Sequence, residues 1–233
     1  MAGRAIRMSV AMLAGGAVLA SVGCSTDGSS TAAEREAAEL PLTQAELPAG
    51  FHTARLSKDA LAQMTEQLSD STAHVDIAPA QCAASGAMVT TIDPKRVGVM
   101  AATDGDDAIS ESVQPVAEID GGVDLEAARK QVTGDCGVVR VHVKAGPVKG
   151  AEITVTHTVI DVPRGAADQV LAVESRSRTV NGSKSGETSL LVGNALVNGY
   201  AVTVQMSAVD QTADLNRAVF EDVFARAIAK AAR

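Results

Sequence analysis

Over residues 138–160 apolar and polar side chains alternate. Val139, Val141 and Val143 are interleaved with Arg140 and His142, and Ile153, Val155 and Val159 with Thr154, Thr156 and Thr158. A period of two predicts half-buried strands, joined here by a loop around Gly146-Pro147. Further strands are expected at about 168–180, 188–197 and 200–208. Asn198-Gly199 between the last two is a strong two-residue hairpin signal, and Asn181-Gly182 to Gly186 reads as a looser turn. Two shorter strands are expected upstream, at 97–101 and 111–119, flanking an acidic loop from Asp104 to Asp107.

Three stretches carry a helical period instead. Ser57 offers a cap for Leu61, Met64 and Leu68. Asp124 caps a short helix whose apolar face is Leu125, Ala128 and Val132, stopped by Gly134. Residues 212–231 place Leu215, Val219, Phe220, Val223, Phe224 and Ile228 on one stripe, with Asp214 early and Arg226 and Lys230 late, as the helix dipole favours. The expected fold is α+β, an antiparallel meander of about five strands packed by a C-terminal helix and shorter N-terminal helices. It forms a single domain over residues 46–233.

The first residues carry an address. Arg4 and Arg7 precede an uncharged stretch, Met8 to Ala20, of the length of a signal-peptide core and short for a bilayer span. Ser21 and Gly23 lead to Cys24, as in a bacterial lipobox, where the cysteine after cleavage receives a lipid. A lipobox usually has Leu three residues before the cysteine, a place taken here by Ser21. Plain secretion is the alternative. Residues 25–38 are Ser, Thr, Ala, Gly and charged residues, the composition of a flexible tether. The expected division is a signal peptide at 1–23, lipidated Cys24 and its tether at 24–45, and then the domain. The expected location is the outer face of the cytoplasmic membrane.

Two further cysteines, Cys82 and Cys136, remain for an oxidising compartment. With no CxxC spacing or adjacent His, a structural disulfide closing a 55-residue loop is expected. The net charge of −8 becomes −10 without Arg4 and Arg7, which argues against nucleic acid as a partner. With one Tyr, three Phe and no Trp, there is little from which to build stacking platforms for sugars or bases.

Candidate chemistry is sparse. Matching the apolar faces of the first two meander strands pairs Val143 with Ile153, Val141 with Val155, Val139 with His157, and Lys144 with Glu152. That register puts His142 and His157 on opposite faces, so they do not form a zinc pair. His157 reads as a hydrogen-bonded histidine at a core edge or pocket wall. Asp104, Asp106, Asp107 and Glu111 lack the ligand at Ala108, the glycine at Ile109 and the Glu at Pro115 that a calcium loop needs. There is no G-x-S-x-G elbow or Ser-x-x-Lys set, and Gly182 to Gly186 lacks the second half of a P-loop. No catalytic residue, metal ligand or cofactor is expected.

The lipobox ending at Cys24, the segments Leu47-Pro48-Ala49-Gly50-Phe51 and Pro79-Ala80-Gln81-Cys82, and a meander closing on a C-terminal helix together resemble actinobacterial envelope lipoproteins. The likeness is to those whose domain is similar to the extracellular sensor of the PknH receptor kinase. That sensor has two disulfides, whereas this chain has one available pair and no Trp. The resemblance implies a non-catalytic ligand-binding or sensor-like module, and no residue role carries over. A carrier or chaperone for envelope lipids is the alternative. The partners expected are a membrane, through the anchor, and a small molecule, lipid or envelope protein.

Overall fold

The computed structural model describes residues 36–54, 74–84, 97–119, 121–209 and 215–233. Cys24, the helix expected after Ser57 and the first residues of the expected C-terminal helix lie outside them.

Nine strands are found among the described residues: β1 (His52–Ala54), β2 (Val75–Ala78), β3 (Gly98–Thr103), β4 (Asp107–Pro115), β5 (Val138–Val143), β6 (Glu152–Ile160), β7 (Gln169–Asn181), β8 (Lys184–Val197) and β9 (Tyr200–Ala208). They form one antiparallel sheet in the order β1-β3-β4-β9-β8-β7-β6-β5-β2. The five-strand meander is therefore the centre of a larger sheet. It runs from β5 to β9 in sequence order, while β4, β3 and β1 extend it at one edge and β2 at the other. The protein is mostly β.

The missed extent has physical causes. On β4 the buried positions are Asp107, Ile109, Glu111 and Val113, so two carboxylates interrupt the apolar alternation that marks a strand. Residues 116–118, expected as strand, form a 3-10 turn. β1 and β2 span three and four residues and bury no side chain fully.

The register of β5 on β6 differs from expectation by two residues. Val141 faces Ile153, Val139 faces Val155 and His142 faces Glu152. Val143 instead meets Ala151, its N–H donating to the Ala151 carbonyl at 3.0 Å, and buried Ala151 takes the place expected for Ile153. Lys144 accordingly pairs with Asp76 of β2 rather than with Glu152. A two-residue slip preserves the faces, so His142 and His157 remain on opposite sides.

Three α-helices are described: α1 (Gln81–Ala84), α2 (Leu125–Thr133) and α3 (Arg217–Ala231). The two longer ones cover opposite faces of the sheet. On β7, Ala172 packs into the cluster of Phe220, Val223, Phe224 and Ile228 from α3. Its neighbours Leu171 and Val173 pack against Leu125, Ala128 and Val132 of α2. Successive residues of a strand point to opposite sides, so the two helices sandwich the sheet at β7 and diverge from there.

Local signals explain the ends of these elements. The Asp124 carboxylate accepts N–H bonds from Glu126 and Ala127 at 3.0 and 2.9 Å, capping α2 where expected. Asn216 caps α3 by accepting from Val219 N–H at 3.3 Å. Asn198 (φ 47°) and Gly199 (φ 80°) both adopt the left-handed region that a type I′ hairpin turn demands. Asn181 pairs with Lys184, so the turn at Gly182 is as tight as that at Asn198.

The segment from Ala37 to Leu47, whose first part reads by composition as tether, lies against the α3 side of the sheet. Ala37, Leu40, Leu42 and Leu47 are buried there, in contact range of β3 and β4. Gly98 on β3 permits this approach, because a Cβ at that position would stand 2.0 Å from the Ala37 carbonyl oxygen and 2.6 Å from the Pro41 ring.

Candidate functional site

Cys82 and Cys136 are bridged, with their Cα atoms 5.7 Å apart. The bridge ties the short helix α1 to the C-terminal end of α2, beside a small core of Val139, Val143, Ile153 and Val155.

A polar cleft opens where the first turns of α2 meet the β6–β7 connection. Its volume is about 240 Å³, and Glu126, Arg129, Asp161, Arg164, Asp168 and Gln169 line it. The α2 cap fixes one wall, because Leu125 N–H donates to the Gln169 side-chain oxygen at 2.9 Å. Arg129 donates from Nη2 to the Val170 carbonyl at 3.1 Å. Arg164 donates from Nε to the Ala167 carbonyl at 2.6 Å and from Nη2 to the Asp168 carbonyl. Each guanidinium has five N–H donors, so these bonds orient the groups while leaving others for a ligand. Glu126, Asp161 and Asp168 add exposed carboxylates at the rim. The arrangement offers donors and acceptors side by side, suited to a small zwitterionic or polar solute. Among the described residues, its lining holds no Ser, Thr, Cys, His or Lys. Sequence reading missed the cleft because its residues come from a helix terminus and a Pro-Gly loop, with no shared spacing.

His157 lies on the α2 face, half-buried, with Nδ1 2.8 Å from the Ser175 hydroxyl oxygen. Burial lowers its pKa, favouring the neutral imidazole. Ser175 is itself buried.

The acidic loop is the β3–β4 turn. Asp104 accepts from the N–H groups of Asp106 and Asp107 at 3.0 and 2.8 Å. Among the described residues, no group of three or more His, Cys, Asp or Glu side chains is placed to hold a metal ion.

Glu111 was not foreseen as special. It is 1% exposed on β4, beneath the N-terminal segment. Its Oε2 accepts from Leu42 N–H at 2.7 Å, and its Oε1 is buried without a partner. Burial pushes its pKa from the ordinary 4.5 up to about 7, against the opposing influence of the Leu42 N–H and Lys230. The folded protein thus holds this proton where the unfolded chain releases it. Stability attributable to Glu111 falls as pH rises from 4.5 towards 7, by about 3 kcal/mol. Glu111→Gln is expected to flatten that part of the stability–pH curve in urea titrations. An unchanged slope would assign the dependence to other groups.

No known protein family matches the chain, and no curated protein is similar to it. Among solved structures it is similar to the X-ray structure of an uncharacterized protein of Mycobacterium smegmatis, the ortholog of Rv0999. The TM-score is 0.50 at 14% identity, over 82% of this chain and 93% of that one. This likeness shows a fold shared with a mycobacterial protein.

Proposed function

We propose that this chain is a lipid-anchored module of the cell envelope, held at the outer face of the cytoplasmic membrane through Cys24, that binds a small polar solute in the α2 cleft without catalysis. The cleft carries the reading, because its oriented guanidinium groups and exposed carboxylates favour recognition of a polar solute over lipid carriage. At about 240 Å³ it is smaller than the usual 300–1,000 Å³ ligand pocket, so the solute is small. The signal-peptide pattern and Cys24 support the address, and the resemblance to PknH-type sensor domains supports the non-catalytic role.

The anchor is tested by Cys24→Ser. The variant is expected to move from the membrane fraction to the soluble fraction, and retention on the membrane would remove the lipid from the account. The cleft is tested by thermal unfolding with a panel of amino acids, small dicarboxylates and polyamines. A solute at a hundred times its Kd adds about 2.7 kcal/mol, which raises Tm by roughly 5–10 °C for a domain of this size. Arg129→Ala is expected to abolish that rise. A rise that survives Arg129→Ala would place the binding elsewhere.

A further inference from the structure

The N-terminal segment is pinned by few polar bonds, and one of them ends on a carboxyl group that is only half satisfied. Leu42 N–H donates to Glu111 Oε2, while Oε1 has no partner. Lys230 at the end of α3 donates to the Pro41 carbonyl at 2.7 Å and to Glu46 Oε2 at 2.6 Å. The same Glu46 oxygen accepts from the N–H and hydroxyl of Thr43, both at 2.8 Å, and Arg226 donates to the Glu46 carbonyl at 3.0 Å. Residues 43–46 thus form a compact knot tied to α3, while residues 36–42 are held by the Glu111 bond to Leu42, the Lys230 bond to Pro41 and the burial of Ala37, Leu40 and Leu42.

We propose that residues 36–42 are a latch that peels from the sheet, hinged at the Thr43–Glu46 knot, when Glu111 loses its proton. In the closed position the carboxylate would be a buried charge with one oxygen unsatisfied, a costly arrangement. Peeling lets water reach both oxygens. The charged groups facing Glu111 are Lys230 from α3 and Glu46 from the knot, of opposite sign. The residues opposite it on β3 and β9, Met100 and Val204, are apolar, so neither strand supplies a counter-charge. Raised by burial, the carboxyl titrates near neutral pH when the latch is closed, and opening returns it towards its ordinary range. Rising pH therefore favours opening. Linkage sets the limit at about 300-fold, with about tenfold falling between pH 6 and 8.5. With Cys24 as anchor, seven freed residues extend the reach of the domain by up to about 24 Å.

Hydrogen exchange on the full mature chain tests this, with rates corrected for the intrinsic pH dependence of amide exchange. Protection of the Leu42 amide is expected to fall about tenfold from pH 6 to 8.5, while core amides such as that of Val204 stay protected. Glu111→Gln is expected to hold Leu42 protected at both pH values. Gly98→Ala, whose methyl collides with Ala37 and Pro41, is expected to expose Leu42 at both. Wild-type protection that is independent of pH, or that falls together with Val204, would overturn the latch without any variant.

Discussion

Serine at Cys82, at Cys136 or at both is expected to lower stability by the same amount, about 4 kcal/mol by the chain-entropy estimate for a 55-residue loop. The equality matters more than the size. Either substitution removes the same bridge, so the double variant adds little to each single one. The loss should also be local in character. The bridge joins α1 and β2 to the end of α2, so without it the edge β2–β5 is expected to exchange hydrogens faster than β8–β9. Denaturant unfolding of the three variants measures the first point, and a double variant clearly worse than either single one would refute it.

Phe224→Ala is expected to cost about 3–5 kcal/mol, as deletion of a buried aromatic ring does. Phe224 is 1% exposed and stacks near Phe220, with ring centroids 5.9 Å apart. It sits over Gly193 of β8, where a Cβ would come within 2.9 Å of the ring. The two positions are therefore coupled. Gly193→Ala overpacks the wild-type core, at a cost of about 1–3 kcal/mol, but the methyl fits the space that Phe224→Ala leaves. In the Phe224→Ala background the same glycine substitution should cost less or stabilise. Chemical denaturation of the four proteins closes the cycle, and simple additivity would show that Gly193 is not held small by this ring.

Much of the central fold was legible because it follows from local chemistry. Alternation at Val139, Val141 and Val143 marked a strand, Asn198-Gly199 marked its hairpin, and Asp124 with Leu125, Ala128 and Val132 marked a capped amphipathic helix. What failed was non-local. The register of β5 on β6 depends on the turn at Gly150, and two registers that preserve the faces differ by little that alternation can detect. β4 escaped full recognition at its start, because buried Asp107 reads in sequence as the end of a solvated acidic loop and residues 107–110 carry too short an alternation to outweigh it. The packing of Leu40 and Leu42 depends on Gly98, some sixty residues away. The cleft was invisible for the same reason, since Arg129 and Arg164 meet only after α2 docks on β6 and β7.

The opposite pH responses of two glutamates offer an internal control. Glu46 is held down to about 2, chiefly by its bond from Lys230 and then by the Thr43 N–H. Its stabilisation is present above its unfolded range near 4.5 and is lost as pH falls towards 2. Glu111 acts in the adjoining window, from 4.5 upward and with the other sign. Unfolding free energy should therefore pass through a maximum in the mildly acidic range. Replacing Glu46 with Gln should chiefly alter the acidic limb, with a smaller change in the other, because the Glu46 charge helps to raise Glu111.

Binding in the α2 cleft is tested most directly by native mass spectrometry of the mature protein taken from an envelope-bearing host and offered a polar extract of the same cells. The account predicts one small polar adduct per chain, absent from Arg129→Ala, on a protein two mass units lighter than its fully reduced form. A stoichiometric lipid, or an adduct indifferent to Arg129, would contradict it.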